Sequence, residues 1–558
     1  MSWIAANLPP IMFGSLLLLL LTGFPVAFGL ATCGILFGLI AVGLDLAPTQ
    51  FFNALPLRVY GIMSNDTLLA IPFFTFMGLI LERSRMAEDL LETIGQVFGP
   101  LRGGLAVAVV VVGAMLAATT GVVAASVIAM GLISLPIMLR YGYNRPLAAG
   151  VITASGTLAQ IIPPSLVLIV IADQLGKSVG DMYKAAFLPA FMLVAIYLIA
   201  IMVLAVIKPK WVPALPAEAR IYRESSGASG YTSLGILTAA SVFVGGMVFA
   251  NYTAILEALG VKVDYAPPTD ERVVMMFMSA IVFALIVAVL DKLLRVNLLS
   301  EIAKRVTFVL IPPLLLIFLV LGTIFLGVAT PTEGGAMGAT GAMLLALARK
   351  RLNLSLLRQG LDSSARLSIF VLFVLVGSTV FSLTFQAING PHWVEELFKG
   401  LPGGELGFLI FVNLMIFILG CFIDFFEIAF IILPLLLPVA DKMGIDLIFF
   451  GVMIALNLQT SFLTPPFGFA LFYLRSVAAK TDYTDKVTGA RISALKTADI
   501  YRGSIAFVIL QVIMLVAVIA KPEIITSGLG EQKKLDVEKV NINITAPDQE
   551  DEPPAVMK

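Results

Sequence analysis

The 558-residue sequence contains few charged residues, two cysteines and a single histidine. Only 13% of the residues are charged. Lys+Arg and Asp+Glu both number 36, so the formal net charge of zero gives no electrostatic basis for binding nucleic acid. The histidine, His392, stands between Pro391 and Trp393, where we expect a loop without a catalytic role.

The chain also lacks the motifs that would indicate an enzyme. It has no His-Glu-x-x-His, no glycine loop of the Walker A type and no paired cysteines at metal-ligand spacing. Cys33 and Cys421 lie in apolar segments, where a thiol behaves as a small hydrophobe. We therefore predict no catalytic residue and no cofactor. Because the chain cannot hydrolyse ATP, any transport must be driven by an ion gradient or by another subunit.

What the sequence does contain is apolar surface, with 59% hydrophobic residues. Segments of about 20 mostly apolar residues, enough to cross a bilayer, recur on the order of a dozen times. Backbone inside a bilayer must satisfy its own hydrogen bonds, and long apolar runs without polar alternation do so as helices. We predict an all-α polytopic membrane protein whose first helix is retained, since no basic region or cleavage site precedes Leu16–Leu21.

The two halves of the chain match each other at an offset of 302 residues. Proline accounts for only 30 of the 558 residues, so several coincident prolines at one gapless offset indicate a duplication. We expect two structural repeats in inverted orientation. The matched positions are Leu135-Pro136 with Leu437-Pro438, Gly142 with Gly444, Ile152 with Ile454, and Pro163-Pro164 with Pro465-Pro466.

Each repeat begins with a long apolar run, 101–139 and 405–440, that is interrupted near its middle. The first interruption is Thr119-Thr120-Gly121, and the second is Gly420-Cys421 followed by Asp424. Such a pattern predicts a re-entrant hairpin, whose irregular tip is tolerated at membrane depth only inside protein or beside an aqueous cavity.

A polar run and a Pro-Pro pair follow each hairpin. Two adjacent prolines unwind a helix and free backbone carbonyls, which can hold cations. Matching interrupted helices in two halves indicate a secondary-transporter site near the middle of the bilayer. The alternative is a pair of ordinary proline kinks, which would leave the polar runs unexplained. The expected substrate-cavity residues are Ser155, Thr157, Gln160, Asn457 and Gln459.

Acidic residues within spans are costly and usually functional. For Asp424 we favour ion ligation or cavity lining over a structural role, whereas Glu427, three residues later, is as easily a neighbour on the same helix face. Glu333, in Thr330-Pro331-Thr332-Glu333, is equally suited to coupling or to capping a helix that starts at Thr330.

Several of these segments together resemble the large membrane subunit of tripartite ATP-independent periplasmic (TRAP) transporters. They cover both repeats, between about residues 10 and 210 and about 310 and 520. The segments are Gly23 to Phe28, Arg140-Tyr141-Gly142-Tyr143, Gly156-Thr157, Ile161 to Ser165, Thr330 to Glu333, Gly444-Ile445-Asp446, Asn457-Leu458 and Leu463 to Pro466.

The resemblance implies an elevator-type importer in a bacterial inner membrane. A periplasmic solute-binding protein would deliver a small organic anion, often a carboxylate, and sodium would be the coupling ion. The carbonyl-rich breaks favour sodium, while Asp424 and Glu427 leave proton coupling open. One sodium site would use Thr120, Gly121, Ala159, Ile162 and Pro164, although Val122 and Val123 replace the serines usual in that tip. The second would use Gly420, Cys421, Asp424, Ser461, Thr464 and Pro466.

The chain does not begin with the extra helices of a fused small subunit, so we expect a separate small membrane subunit. A self-sufficient carrier that needs no binding protein is the alternative. An additional apolar pair, about 233–251 and 273–291, is unusual and either replaces contacts of the small subunit or widens the scaffold. The expected regions are scaffold helices at 1–100, 186–310 and 311–400, repeat cores at 101–185 and 401–480, a last membrane helix at 481–521, and a disordered polar tail at 522–558.

Overall fold

The computed structural model describes residues 3–4, 7–221, 230–258, 260, 267, 269–295, 298–485, 487–527 and 529. The described chain is built almost entirely from helices, which confirms the predicted all-α class. Most of the predicted polar tail, from residue 530 onward, lies outside the described residues.

The first half contains two N-terminal helices, a short helical region, the helices of the predicted first hairpin and first broken helix, and a long connecting helix. The helices are α1 Leu8–Leu21, α2 Val26–Gly43, α3 Leu55–Met63, α4 Ala70–Arg83, α5 Met86–Phe98, α6 Gly104–Thr120, α7 Val123–Arg140, α8 Arg145–Thr157, α9 Leu166–Gln174 and α10 Val179–Ile207. Short 3-10 turns lie at Thr49–Ala54, Asp66–Leu69, Leu158–Gln160, Pro209–Trp211 and Ala217–Ala219.

The second half begins with the inserted pair and ends with the last long helix. The helices are α11 Tyr231–Ala250, α12 Tyr252–Ala258, α13 Thr269–Leu294, α14 Glu301–Phe325, α15 Pro331–Ala348, α16 Leu354–Ala387, α17 Gly390–Lys399, α18 Gly404–Leu419, α19 Phe425–Glu427, α20 Leu433–Lys442, α21 Leu447–Ser461, α22 Phe469–Val477, α23 Thr497–Ala520 and α24 Glu523–Thr526. A π-helical turn, Ile428–Ile432, joins α19 to α20.

Among the described residues, eight helices are long and apolar enough to cross a membrane, or up to ten if each bent pair counts as one span. One bent pair joins α17 to α18 at 115°. Fewer helices qualify than the dozen passes expected, because the hairpins and broken helices are divided into pieces shorter than a full span. The prediction of a polytopic membrane protein is confirmed.

Close helix contacts connect the two halves of the chain. Helix α16 packs along α2, α15 packs along α4, and α23 packs against α8. At that last contact a Cβ added to Gly150 would stand 2.2 Å from the Gly503 carbonyl oxygen, so only glycine allows the two backbones to approach this closely. Packing through small residues is the expected mode where no hydrophobic effect drives helix association.

The inserted pair is helical, as predicted. Helices α11 and α13 pack on each other, and both contact α14. A small buried cluster fills this junction and includes Leu237, Ala288 and Ile311.

A two-stranded antiparallel hairpin precedes the last long helix and was not predicted. Its strands, β1 Tyr483–Thr484 and β2 Arg491–Ile492, pair Tyr483 with Ile492. Between them Asp485 accepts hydrogen bonds from Arg140 Nε and Nη2 at 2.9–3.1 Å, which ties the hairpin to the end of α7. The Arg140 guanidinium and the Thr488 hydroxyl hold the pKa of the Asp485 carboxyl well below its usual range.

Two predictions on secondary structure are wrong. His392 lies in α17 and not in a loop, because Pro391 occupies the first turn of that helix, where its missing amide hydrogen costs nothing. The polar tail does not begin at residue 522, since Glu523–Thr526 form α24. Ile525 of this helix is fully buried, and α24 packs against α10 and α21.

Candidate functional site

The first predicted hairpin is formed by α6 and α7, and its tip is at Gly121. Gly121 ends α6 in the left-handed region at φ +60, and its amide donates to the Ala117 carbonyl at 3.0 Å. Val122 is extended, and α7 starts at the next residue. Across this break the hydroxyl oxygens of Thr120 and Ser126 lie 2.8 Å apart. The predicted interruption at 119–121 is therefore the tip of the hairpin.

The first broken helix is formed by α8, the turn Leu158–Gln160, an irregular stretch and α9. The irregular stretch contains Pro163 and Pro164, which are joined by a cis peptide bond, as are Pro465 and Pro466. Ser165 closes the stretch by donating its hydroxyl hydrogen to the Gln160 carbonyl at 2.9 Å. Among the described residues, no donor lies within hydrogen-bond distance of the carbonyl oxygens of Ile162 and Pro164.

The tip of the first hairpin meets this break. A Cβ added to Gly121 would lie 3.0 Å from Leu166 Cγ and 3.2 Å from Leu166 N, at the start of α9. Thr120, Ala159 and Ile162 are all buried. The structure thus brings the tip next to a stretch with unpaired carbonyls. Oxygen atoms of this kind suit a hard monovalent cation, because each carries a partial negative charge without an amide partner.

The second hairpin is formed by α18, the break 420–424 and the helical stretch from α19 to α20. Its tip contacts the end of α21: a Cβ on Gly420 would lie 2.3 Å from Ser461 Oγ and 2.9 Å from Ser461 Cβ. The Cys421 thiol is 3.8 Å from the Ser461 carbonyl oxygen. The predicted members Gly420, Cys421 and Ser461 are therefore neighbours.

Asp424 and Glu427 form a capping box at the start of α19. An Asp424 carboxylate oxygen accepts from the Phe425 amide at 2.7 Å, and Glu427 Oε2 accepts from the Asp424 amide at 3.0 Å. Each residue thus satisfies backbone donors that the helix start leaves unpaired. Glu427 and Asp424 therefore both have capping contacts that the sequence analysis did not assign to them.

Glu333 caps α15 in the same manner. Glu333 Oε2 accepts from the Thr330 amide at 2.8 Å, and the Thr330 hydroxyl accepts from the Glu333 amide at 3.2 Å. Of the two roles left open for Glu333, the structure has the cap.

The second break, 462–468, is more exposed than the first. The Thr464 hydroxyl donates to the Thr460 carbonyl at 2.9 Å, within its own helical turn. The Pro466 carbonyl accepts a hydrogen bond from the Tyr501 hydroxyl at 2.9 Å. Pro466 is exposed, so this predicted ion ligand is engaged with α23 at the rim of the break.

The five predicted substrate-cavity residues are at most 1% exposed and line none of the larger cavities of the described structure. Ser155 and Thr157 donate to carbonyls of their own helix, at 3.0 and 2.9 Å. Asn457 donates to the Asn413 carbonyl at 2.6 Å.

The side-chain amides of Gln160 and Gln459 differ, because among the described residues they have no hydrogen-bond partner. The turn that carries Gln160 contacts α21, which carries Gln459. Asn413 Oδ1, on the first arm of the second hairpin, is likewise buried without a partner. Buried polar atoms without partners are rare in proteins and indicate a place where a polar ligand or water binds. Sequence reasoning missed Asn413, although an amide in the middle of an apolar run is itself a signal.

A polar cavity of about 390 Å³ lies beside the end of α9. Its walls come from α3, the end of α9, α16 and Pro434 of α20. Asp173 accepts hydrogen bonds from Asn65 at 2.6 Å and from Gln174 at 3.0 Å. Arg58, the cationic residue of this wall, donates to Gln386 at 3.0 Å. No local motif marks these residues, because the fold assembles them from distant parts of the chain.

Comparison with known proteins confirms the resemblance. Residues 13–524 match the family described as "Tripartite ATP-independent periplasmic transporter, DctM component". The chain is 28% identical to the C4-dicarboxylate TRAP transporter large permease protein DctM of Rhodobacter capsulatus, over 85% of this chain and 91% of the relative. It is 27% identical to the protein of the same description in Pseudomonas aeruginosa, over 76% and 81%. It is 24% identical to the isethionate TRAP transporter permease protein DctMQ of Oleidesulfovibrio alaskensis, over 86% and 62%.

The match spans both hairpins and both broken helices. A multi-pass helical architecture and these relatives together locate the protein in the inner membrane. TRAP permeases work with a periplasmic binding protein and a small membrane subunit. The chain belongs to the DctM family and is a large permease component of a tripartite ATP-independent periplasmic transporter.

Proposed function

We propose that this permease imports a small organic anion, coupled to sodium entry, after delivery by a periplasmic solute-binding protein. The observation that carries the proposal is the repeated contact between a hairpin tip and a broken helix. Gly121 meets the start of α9, and Gly420 meets the end of α21. Two such contacts supply two places where backbone and hydroxyl oxygens converge in a low-dielectric environment.

Sodium is the coupling ion that fits this chemistry best. The first site offers the Thr120 hydroxyl and the unpaired carbonyls of Ile162 and Pro164, with Gly121 and Ala159 beside them. Its ligands are neutral oxygens, which hold a sodium ion but have no proton to exchange near neutral pH. In the second site Gly420, Cys421, Ser461 and Thr464 supply neutral atoms, and Asp424 supplies a carboxylate.

The substrate region that we infer lies between the two broken helices. The unpaired amides of Gln160 and Gln459 provide both donors and acceptors for a carboxylate with polar substituents, and the unpaired Asn413 Oδ1 provides a further acceptor. The polar cavity would be the approach to this region, with Arg58 as its cationic side chain and Asp173 as its carboxylate. The relatives described as C4-dicarboxylate and isethionate transporters both act on organic anions, which supports this class.

An elevator movement would carry the substrate across the membrane. In this proposal regions 101–185 and 401–480 move together, while 1–100, 186–310, 311–400 and 481–521 form the scaffold and its connections. The contact that must break lies at Gly78 of α4, where an added Cβ would be 2.4 Å from Thr120 Cα.

Uptake into proteoliposomes tests the proposal. The chain and its small subunit would be reconstituted together, with and without the binding protein, under an imposed sodium or proton gradient. We expect uptake only when sodium and the binding protein are both present. Uptake without the binding protein would favour a self-sufficient carrier, and uptake driven by protons alone would refute the sodium sites.

A further inference from the structure

A second cavity, of about 680 Å³, lies at the far end of the scaffold from the polar cavity. It is formed where α13 and α15 end and where α5 and α14 begin. We call it the basic cavity, because its walls carry Lys292, Lys304, Arg305, Arg349 and Arg351. None of these residues belongs to the hairpins or the broken helices.

The basic cavity has an excess of positive charge. Five cationic side chains line it against two carboxylates, Asp89 and Glu301, and Asp291 lies beside Lys304, so the cations exceed the nearby carboxylates by two. Asp89 serves two arginines, since Arg349 and Arg351 donate to its Oδ2 at 2.9 and 2.8 Å. Lys304 lies 3.6 Å from Asp291 and 3.8 Å from Glu301.

One cation of the wall has an unused donor. Among the described residues, Arg305 Nε is buried and has no acceptor within hydrogen-bond distance. Lys292 points its ammonium over the Phe308 ring, 5.2 Å from the centroid. A guanidinium with a buried, unpaired N–H loses its hydration without compensation, so the site favours an anion that accepts from it.

The surroundings of the basic cavity point to the membrane surface. Leu293, Leu294 and Leu298, beside Lys292, are 72%, 68% and 69% exposed. Exposed leucines at the end of a spanning helix contact lipid, whereas exposed leucines in water would be a liability. The same end carries Arg83 and Arg85, and loops rich in Lys and Arg stay on the cytoplasmic side. Anionic lipid headgroups therefore lie at the depth of the basic cavity.

We propose that the basic cavity binds a phosphate ester, and that its source is the headgroup of an anionic membrane lipid. Phosphate oxygens match the planar fork of arginine, and a cavity of this size admits a phosphodiester with its glycerol. Basic pockets between spanning helices on the cytoplasmic side bind such headgroups. Because Lys292 belongs to the inserted pair and the other cations to the scaffold, the bound headgroup holds the two together.

Lipid binding to the purified full-length chain tests this proposal. Delipidated protein in a neutral detergent would be titrated with phosphatidylglycerol or phosphatidylcholine and followed by native mass spectrometry. The test variant carries Lys292→Gln with Arg305→Gln. The matched control carries Arg358→Gln with Arg366→Gln, which removes two exposed cations of α16 outside the cavity. Ala348→Phe, which fills the cavity without changing its charge, is a second test variant.

We expect the wild type to bind one phosphatidylglycerol at least tenfold more tightly than phosphatidylcholine, and both test variants to lose that preference while the control keeps it. An unchanged preference in Ala348→Phe and in the double variant would overturn the site. Should the double variant fail to fold, Ala348→Phe decides alone. Equal competition by glycerol 3-phosphate or inorganic phosphate would overturn the lipid source. If the test variants keep the wild-type lipid preference but no longer co-purify with the small subunit, the basic cavity is a protein interface and the proposal is refuted.

Discussion

The contact between Gly78 and the first hairpin gives the sharpest test of how this permease moves. In Gly78→Ala the new Cβ would stand 2.4 Å from Thr120 Cα and 2.6 Å from the Thr119 carbonyl oxygen. Both partners are backbone atoms, so no side-chain rotation relieves the overlap. Overpacking of this kind costs about 1–3 kcal/mol.

If the hairpin leaves α4 during transport, this energetic cost destabilises only the conformation in which the two are in contact. The conformation described here would then lose population relative to the other by a factor of about 5 to 150, which is the equilibrium equivalent of the same energy. We expect slower uptake, because the transport cycle must pass through the conformation that has lost population.

Spin labels at two exposed leucines would report the conformational equilibrium. Leu101, at the base of the first hairpin, is 60% exposed, and Leu354, at the start of α16, is 81% exposed. Both would be changed to cysteine in a chain without Cys33 and Cys421, and the distance between the labels measured by pulsed spin resonance. Gly78→Ala should move population from the main distance to a second one. Gly14→Ala, where an added Cβ meets nothing within 4 Å, is the control and should not.

Two results would refute this reasoning. If Gly78→Ala leaves thermal stability, distances and uptake unchanged, the tip does not pack on α4 as described. If the variant is less stable but keeps the wild-type distance distribution, the hairpin and α4 do not separate, and an elevator movement along this contact is excluded.

Three further predictions concern single side chains. Asp424→Asn keeps a good helix cap, so it should keep the wild-type thermal midpoint yet lose sodium-dependent uptake, whereas Asp424→Ala should also lose about 0.5–2 kcal/mol of stability; normal uptake in both would show that Asp424 only caps α19. Gln459→Met removes an unpaired buried amide at similar volume, so thermal melts should show equal or higher stability while the KM for uptake rises, and an unchanged KM would exclude the amide from substrate binding. Because Arg140 lowers the folded pKa of Asp485, the ion pair stabilises the fold fully above the unfolded pKa of about 3.9, and this stabilisation is lost as pH falls through the folded pKa. The thermal midpoint of Asp485→Asn should therefore lie below that of the wild type at pH 7 and approach it in acid. A difference that stays constant with pH, or an equal effect of Asp362→Asn at an exposed position, would contradict this.

Local patterns in the sequence predicted the parts of the fold that short segments control. Glycine and proline punctuate the chain at Gly121, Gly420 and the two Pro-Pro pairs, and each of these positions ends or interrupts a helix. At Gly121 a left-handed residue, and at the Pro-Pro pairs the missing amide hydrogens, act within one helical turn, so a local pattern suffices to predict the break.

Asp424 has a capping role that the same reasoning did not find. The spacing Asp424-x-x-Glu427 is a capping signature, like Thr330-x-x-Glu333, and only the second was read as one. The apolar residues around Asp424 indicate that a charge there is costly, which favours a functional role, but they do not show that α19 begins at the next residue.

The parts of the structure that the sequence did not predict depend on tertiary contacts. Asp173 meets Asn65 across 108 positions, and Arg140 meets Asp485 across 345. Neither pair has a local signal, since each residue alone reads as an ordinary polar residue at the end of a span. The strands at 483–484 and 491–492 are likewise too short to show an alternating pattern.

If the substrate binds between Gln160 and Gln459, as proposed above, their unpaired amides have a consequence for its chemistry. Each amide presents two N–H donors and one acceptor oxygen. A plain dicarboxylate that settles between them accepts from the donors but offers nothing to the oxygens at neutral pH. A buried acceptor left alone costs about 1–3 kcal/mol, so a hydroxy or amino acid that donates as well as accepts gains roughly 5- to 150-fold over its unsubstituted counterpart. The permease would then discriminate among the acids that one binding protein delivers by whether the substrate has a hydrogen-bond donor.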